Sequence, residues 1–180
     1  MLLNTNLYGF DKKEIKNTLM EGEILTLDDM DKYVSQLEPM YTIFDEKIPV
    51  IDSSSFCKKL NSPICIIVRT YSNKYYIIVN SLFTNYLTEK EQVVLLCHEY
   101  GHYLDMKDDL EFESELESEA RADACSVRYC GFDLTIETMK KVDTLVSLAF
   151  DYDLELDDFT KARLEILEYH KERFEKENRA

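Results

Sequence analysis

Two histidines and a glutamate lie within five consecutive residues of this chain, in the run His98-Glu99-Tyr100-Gly101-His102. Residues four apart on a helix project from one face, so both imidazoles can reach one zinc ion at about 2.0–2.1 Å. The carboxylate of Glu99 can then take a proton from a zinc-bound water that attacks a carbonyl group, and pass it to the leaving amine. The spacing therefore predicts metal-assisted hydrolysis with Glu99 as the catalytic base.

A catalytic zinc site needs a third protein ligand. The best candidate is Glu119, because Asp123 lies one helical turn later and can accept a hydrogen bond from a ligating imidazole. The small residues Ala122 and Ser126 border the same face, so this segment can approach the histidine helix closely. We therefore predict the ligand set His98, His102 and Glu119.

Other acidic residues compete for the role of third ligand. Asp108 lies six residues after His102, although the turn-forming Gly that usually accompanies this spacing is absent. Glu115 and Glu117 belong to the same acidic stretch as Glu119. A further alternative is that the two histidines are ordinary helix residues without a metal.

The helices that would carry these residues have recognisable ends. Thr88-Glu89-Lys90-Glu91 is a capping box, and it predicts a helix from about Thr88 to Met106. Gly131 can close a second helix over residues 115–130. Apolar spacing predicts two more, over 134–150 and 157–177; on the last one, a stripe is formed by Phe159, Ala162, Ile166 and Tyr169.

The part of the chain before the histidines contains the expected strands. Residues 63–70 and 74–80 are rich in β-branched and aromatic side chains and are joined by turn-forming residues, which predicts a β-hairpin. Residues 41–50 offer another strand, and residues 11–21 and 27–38 have loose helical spacing. The expected class is therefore α+β.

Only four Gly and three Pro occur, without a linker-like stretch, so residues 1–180 are expected to form a single domain. Its parts would be an N-terminal helical region (1–60), a motif-bearing core (63–150) and a C-terminal helix (151–180).

Composition limits the partners and the compartment. The chain has 36 acidic and 21 basic residues, a formal charge of −15, which disfavours nucleic acid and anionic membranes. It shows neither a secretory signal nor about 18 consecutive apolar residues. The five cysteines form no Cys-x-x-Cys pair, which suits reduced thiols. We expect a cytoplasmic protein whose oligomeric state the sequence leaves open.

The two motifs together resemble the gluzincin metallopeptidases, whose signature is His-Glu-x-x-His followed by Glu-x-x-x-Asp on a later helix. The block from Glu119 to Asp133 is similar to that of HtpX-type peptidases and the small minigluzincins, and 75–104 resembles ImmA/IrrE-type peptidases. The resemblance covers about residues 63–150. It implies a small zincin-like domain, with a short twisted sheet packed on the active-site helix and a C-terminal helical subdomain.

The same resemblance implies further roles. The strand 74–80 would line the cleft and pair with an extended peptide substrate. A Tyr, His or Arg would steady the oxyanion, and the candidates are Tyr152, His170 and Arg128. His170 could instead belong to a C-terminal segment that folds over the cleft and inhibits the enzyme.

Two functional hypotheses follow. The first is an intracellular zinc metallopeptidase acting on a protein or peptide. The alternative is a regulatory binding protein, or a repressor-cleaving effector of a mobile element, in which zinc is mainly structural.

Overall fold

The computed structural model describes residues 8–17, 48–52, 64–70, 72–150 and 157–179. These residues contain six helices and a three-stranded sheet, which confirms a mixed α+β fold. The chain divides into two compact units, Met1–Lys16 with Glu89–Ala180 (the helical unit) and Asn17–Thr88 (the sheet unit). The predicted helix at 27–38 lies outside the described residues. Of the one predicted at 11–21, the structure describes α1, Lys12–Asn17.

The sheet unit contains the predicted hairpin. Strands β2 (Cys65–Arg69) and β3 (Tyr75–Val79) are antiparallel, with Cys65 opposite Val79 and Arg69 opposite Tyr75. Asn73 has a φ of 63° in the turn, a left-handed conformation that Asn tolerates better than most residues, and its side chain accepts a 2.6 Å hydrogen bond from Arg69 Nε. The pattern of β-branched residues therefore located both strands correctly.

A third strand changes the expected role of β3. Strand β1 (Val50–Asp52) pairs with β3 in parallel, so the strand order is β1-β3-β2 and β3 is the central strand. Over Ile77–Val79 the hydrogen-bonding groups on both edges of β3 are taken. The expectation that β3 pairs with an extended substrate is therefore wrong for this stretch. The strand expected at 41–50 is described only from Val50 onward.

A short helix that the sequence did not predict follows β3. Helix α2 (Ser81–Thr84) is capped by Asn80, whose side chain accepts a hydrogen bond from Leu82 N. Ser81 N donates to Asp52 Oδ1 over 3.0 Å, which ties the start of α2 to the end of β1. Four residues are too few to show helical periodicity, so this element escaped prediction.

The helical unit contains four long helices at nearly the predicted bounds: α3 (Glu89–Lys107), α4 (Glu115–Cys130), α5 (Phe132–Phe150) and α6 (Asp158–Glu177). Gly131 separates α4 from α5 with a φ of +83°, and its N–H bonds to Val127 O at 2.8 Å. A glycine adopts this φ without steric cost, as the sequence predicted. None of the described helices is both long and apolar enough to cross a membrane.

Helix α6 packs through a face that the sequence did not predict. Leu164 and Leu167 are its buried residues and join Ile136 of α5 in one core cluster. Phe159 and Tyr169, from the expected stripe, are 37% and 58% exposed. The stripe was wrong for these two aromatic residues, which lie at the surface of this charged helix, whereas Ala162 and Ile166 are half-buried.

Helices α3 and α4 approach each other closely at Gly101. A Cβ atom placed on Gly101 would lie 2.7 Å from Ala122 Cα and 3.0 Å from Cys125 Cβ. One turn further along α4, the Ser126 hydroxyl donates a 2.9 Å hydrogen bond to Val94 O of α3. The small residues expected at this face therefore do border α3, and Gly101 on the other helix allows the approach.

Candidate metal centre

The two histidines of α3 point their Nε2 atoms at one another. His98 Nε2 and His102 Nε2 are 3.2 Å apart, and the ring centroids are separated by 4.7 Å. Both side chains are half-buried, with 15% and 17% exposure. The one-turn spacing thus produces the paired imidazoles that the sequence predicted, on a helix whose start and end also match.

Helix α4 brings Glu119 to the same point. One oxygen of the Glu119 carboxylate is 3.3 Å from His98 Nε2, and the other is 3.2 Å from His102 Nε2. The three candidate ligand atoms all lie within 4.8 Å of one another. His98, His102 and Glu119 could therefore hold a metal ion.

The separations of the donor atoms suit a small tetrahedral ion. Atoms bound at about 2.0–2.1 Å to a tetrahedral ion lie about 3.3 Å from one another. The two histidine nitrogens, 3.2 Å apart, match that value, and each lies 3.2–3.3 Å from a different oxygen of Glu119. The paired imidazoles thus already have the spacing of two ligands on one ion, with the Glu119 carboxylate beside them.

Asp123 fixes the orientation of one imidazole. Its Oδ1 is 2.9 Å from His98 Nδ1, and the side chain is only 3% exposed. When His98 is neutral, a proton on Nδ1 held by this carboxylate leaves the lone pair of Nε2 for a metal; when it is protonated, Nε2 donates to Glu119 instead. Asp123 thus occupies the supporting position that the sequence indicated.

Arg163 of α6 completes the cluster, although it was not among the residues predicted from the sequence. Its Nε and Nη2 donate to the two oxygens of Asp123 over 2.9 and 2.7 Å, and its Nη1 is 3.0 Å from Glu119 Oε2. A single arginine in a helix rich in charged residues carries no sequence signal. Its role becomes visible only when the packing of α6 against α4 is known.

Burial and charge act in opposition on the pKa values of this cluster. For His98, burial lowers the pKa, but the hydrogen bonds with Asp123 and Glu119 outweigh it and raise the pKa to about 10. For Glu119 and Asp123, burial raises the pKa, whereas their hydrogen bonds with histidine and the charge of Arg163 lower it overall. The two carboxyl groups therefore stay ionised at neutral pH, ready to bind a cation.

Glu99, the expected base, lies on α3 beside His98. Its side chain is buried, with 8% exposure of the residue. Its negative charge contributes to the raised pKa values of both His98 and Arg163. Glu99 is therefore near enough to interact electrostatically with the cluster.

The rival third ligands lie elsewhere in the described structure. Asp108 is exposed beyond the end of α3, and Glu115 and Glu117 are exposed in the first turn of α4. The Glu117 carboxylate accepts a 3.0 Å hydrogen bond from Glu113 N. Among these carboxylates, the structure brings Glu119 to the two histidines.

Of the three expected oxyanion stabilisers, the structure describes His170 and Arg128, and both have exposed side chains on the helical unit. Tyr152 lies outside the described residues. His170 is exposed on α6, with its ring centroid 5.4 Å from that of Tyr169. Arg128 is also exposed, and its guanidinium lies over the Tyr129 ring, 6.0 Å from the centroid. Among the described residues, His170 is therefore not part of the group formed by His98, His102 and Glu119.

Comparison of the chain with protein-family models, curated proteins and solved structures yields no match. The function of the chain is therefore inferred from the residues of the centre and their geometry.

Proposed function

We propose that this protein is a zinc-dependent peptidase of the gluzincin type, with His98, His102 and Glu119 as ligands. The observation that carries the proposal is the convergence of two imidazole nitrogens and a carboxylate at mutual distances of 3.2–3.3 Å. A His₂Glu set is the donor chemistry of catalytic zinc in several peptidases, and it leaves one coordination position open for water or substrate. Zinc also prefers imidazole and carboxylate ligands in tetrahedral geometry.

The residues around the ligands have complementary tasks in this proposal. Zinc supplies Lewis acidity when bound. Glu99 accepts the proton of the attacking water and returns it to the leaving amine. Asp123 holds the Nδ1 proton of His98, so that Nε2 remains available as a ligand. The zincin-like arrangement of the domain is part of the same proposal.

The proposed substrate is a protein or peptide. The chain carries a formal charge of −15, which favours a neutral or basic substrate over an acidic one. The described cysteines Cys65, Cys97, Cys125 and Cys130 are free thiols. They suit the proposed intracellular setting, in which thiols stay reduced.

The decisive experiment compares metal content and proteolysis in three proteins: the wild type, His98→Ala and Glu99→Gln. The wild type and Glu99→Gln should each bind one zinc ion, whereas His98→Ala should bind little. Cleavage of fluorescently labelled casein should occur only with the wild type. Stoichiometric zinc and equal cleavage by the wild type and Glu99→Gln would refute Glu99 as the base. Zinc without cleavage by the wild type would favour a structural metal, as in the regulatory alternative.

A further inference from the structure

Arg163 reaches the candidate metal centre from the C-terminal helix. Its side chain is 17% exposed, and it lies one turn after Thr160, whose hydroxyl bonds to Asp143 of α5 over 3.1 Å. Asp157 caps the start of α6 by accepting a 2.8 Å hydrogen bond from Thr160 N. The first turn of α6 is thus fixed to α5, which directs Arg163 toward α4.

The guanidinium of Arg163 contacts two carboxylates that lie one turn apart on α4. Two of its nitrogens bond to the two oxygens of Asp123, at 2.9 and 2.7 Å, and the third lies 3.0 Å from Glu119. A planar guanidinium can make this pair of parallel bonds and a third contact at once, whereas an ammonium group cannot. The geometry therefore fixes both carboxylates relative to each other.

The contacts of Arg163 also balance the charge of the centre. Arg163 bonds to the carboxylates of Glu119 and Asp123, and the negative charge of Glu99 also acts on it. Buried carboxylates held close together require such compensation.

We propose that Arg163 is a positioning residue of the metal centre. It holds Glu119 where its carboxylate meets the two histidines, and it holds Asp123 where it orients His98. The C-terminal helix is thereby part of the centre, in contrast to an inhibitory segment that covers it. This inference rests on the proposed function, because it assigns Arg163 a role toward the bound ion.

The test measures zinc affinity, by competition with a chromophoric chelator, for the wild type, Arg163→Lys and Arg163→Met. Lys171→Met is the matched control, because Lys171 forms an ion pair from α6 to Asp133 of α5 outside the centre. Both Arg163 variants should bind zinc about 10–100-fold more weakly, the usual effect of losing a residue that supports a ligand. The control should bind zinc as the wild type does. Circular dichroism and thermal unfolding of the metal-free proteins check that each variant is folded.

The comparison of lysine with methionine separates position from charge. If Arg163 acts through its three contacts, Arg163→Lys should bind zinc nearly as weakly as Arg163→Met. If Arg163→Lys binds zinc with wild-type affinity, charge alone matters and the positioning role is wrong. Arg163→Met with wild-type affinity would also overturn the proposal. The visible absorption of bound Co²⁺ gives a second readout, because it should change in both Arg163 variants when Glu119 shifts. A wild type that binds no zinc would overturn the proposed function together with this inference.

Discussion

Gly101→Ala tests whether the close approach of α3 and α4 creates the metal centre. The added methyl group would lie 2.7 Å from Ala122 Cα and 3.3 Å from Ala122 Cβ. Ordinary contact begins at 3.4 Å, so the backbones must separate by about 0.7 Å at this point. Glu119 lies on α4 three residues before Ala122 and moves with it, whereas both histidines stay on α3. Ligand distances in a zinc site tolerate only about 0.2 Å.

The sign of the change in the free energy of unfolding of Gly101→Ala shows whether the two helices are in close contact. A glycine replaced by alanine inside an exposed helix stabilises a protein by about 0.5–1 kcal/mol. Overpacking at a close contact costs about 1–3 kcal/mol instead. We therefore expect the free energy of unfolding of the metal-free protein to fall by about 1 kcal/mol, and zinc affinity to fall by about tenfold or more.

Urea unfolding of the metal-free protein and chelator competition for zinc measure the two effects separately. Ala122→Gly in the Gly101→Ala background should restore little, because the closest contact is with the Ala122 backbone. An increase in stability with unchanged zinc affinity would refute the reasoning, since it would mean that α3 and α4 are not in close contact at Gly101.

Three further predictions concern single groups. Folding lowers the pKa values of Asp123 and Glu119, so both carboxylates stabilise the folded state at a pH above their unfolded-state pKa values. The thermal midpoint of the metal-free protein should therefore drop as the pH falls below about 4, and it should drop less in Asp123→Asn. The pKa of His98 is raised to about 10, and ligation needs a neutral imidazole, so zinc uptake at pH 8 should release about one proton. Calorimetry in buffers of different ionisation enthalpy measures this release. Zero release would contradict the ion pair of His98 with Asp123 and Glu119. Gly131→Ala should cost about 1 kcal/mol in urea unfolding, because its φ of +83° disfavours a side chain; no change would argue against this helix end.

Much of the fold could be predicted because the deciding signals are local. The hairpin, the helix that carries His98 and the helix that carries Glu119 were located from residue type, periodicity and end signals within each segment. The histidine pair needed nothing beyond helical geometry, since a four-residue spacing places both rings on one face. Asp123 followed from Glu119 by the same one-turn argument.

The errors concern relations between segments. The parallel pairing of β1 with β3 depends on a contact between distant segments. The short helix after β3 has too few residues to form a pattern. The packed face of α6 was misjudged because aromatic residues suggested a core stripe, whereas Leu164 and Leu167 form it. Arg163 lies next to Leu164 and was overlooked together with that face.

The sequence by itself determined the chemistry that this protein can offer: two imidazoles on one helical face, a neighbouring glutamate and a surplus of carboxylates. The sequence favoured Glu119 among several carboxylates, but only tertiary structure brought it to the imidazoles and showed that Arg163 supports it. Gly101 lets α4 approach α3 so that Glu119 meets the histidines, and the docking of α6 brings Arg163 to Glu119 and Asp123. Spacing along one helix fixes local geometry, whereas contacts between helices depend on packing that no single segment encodes.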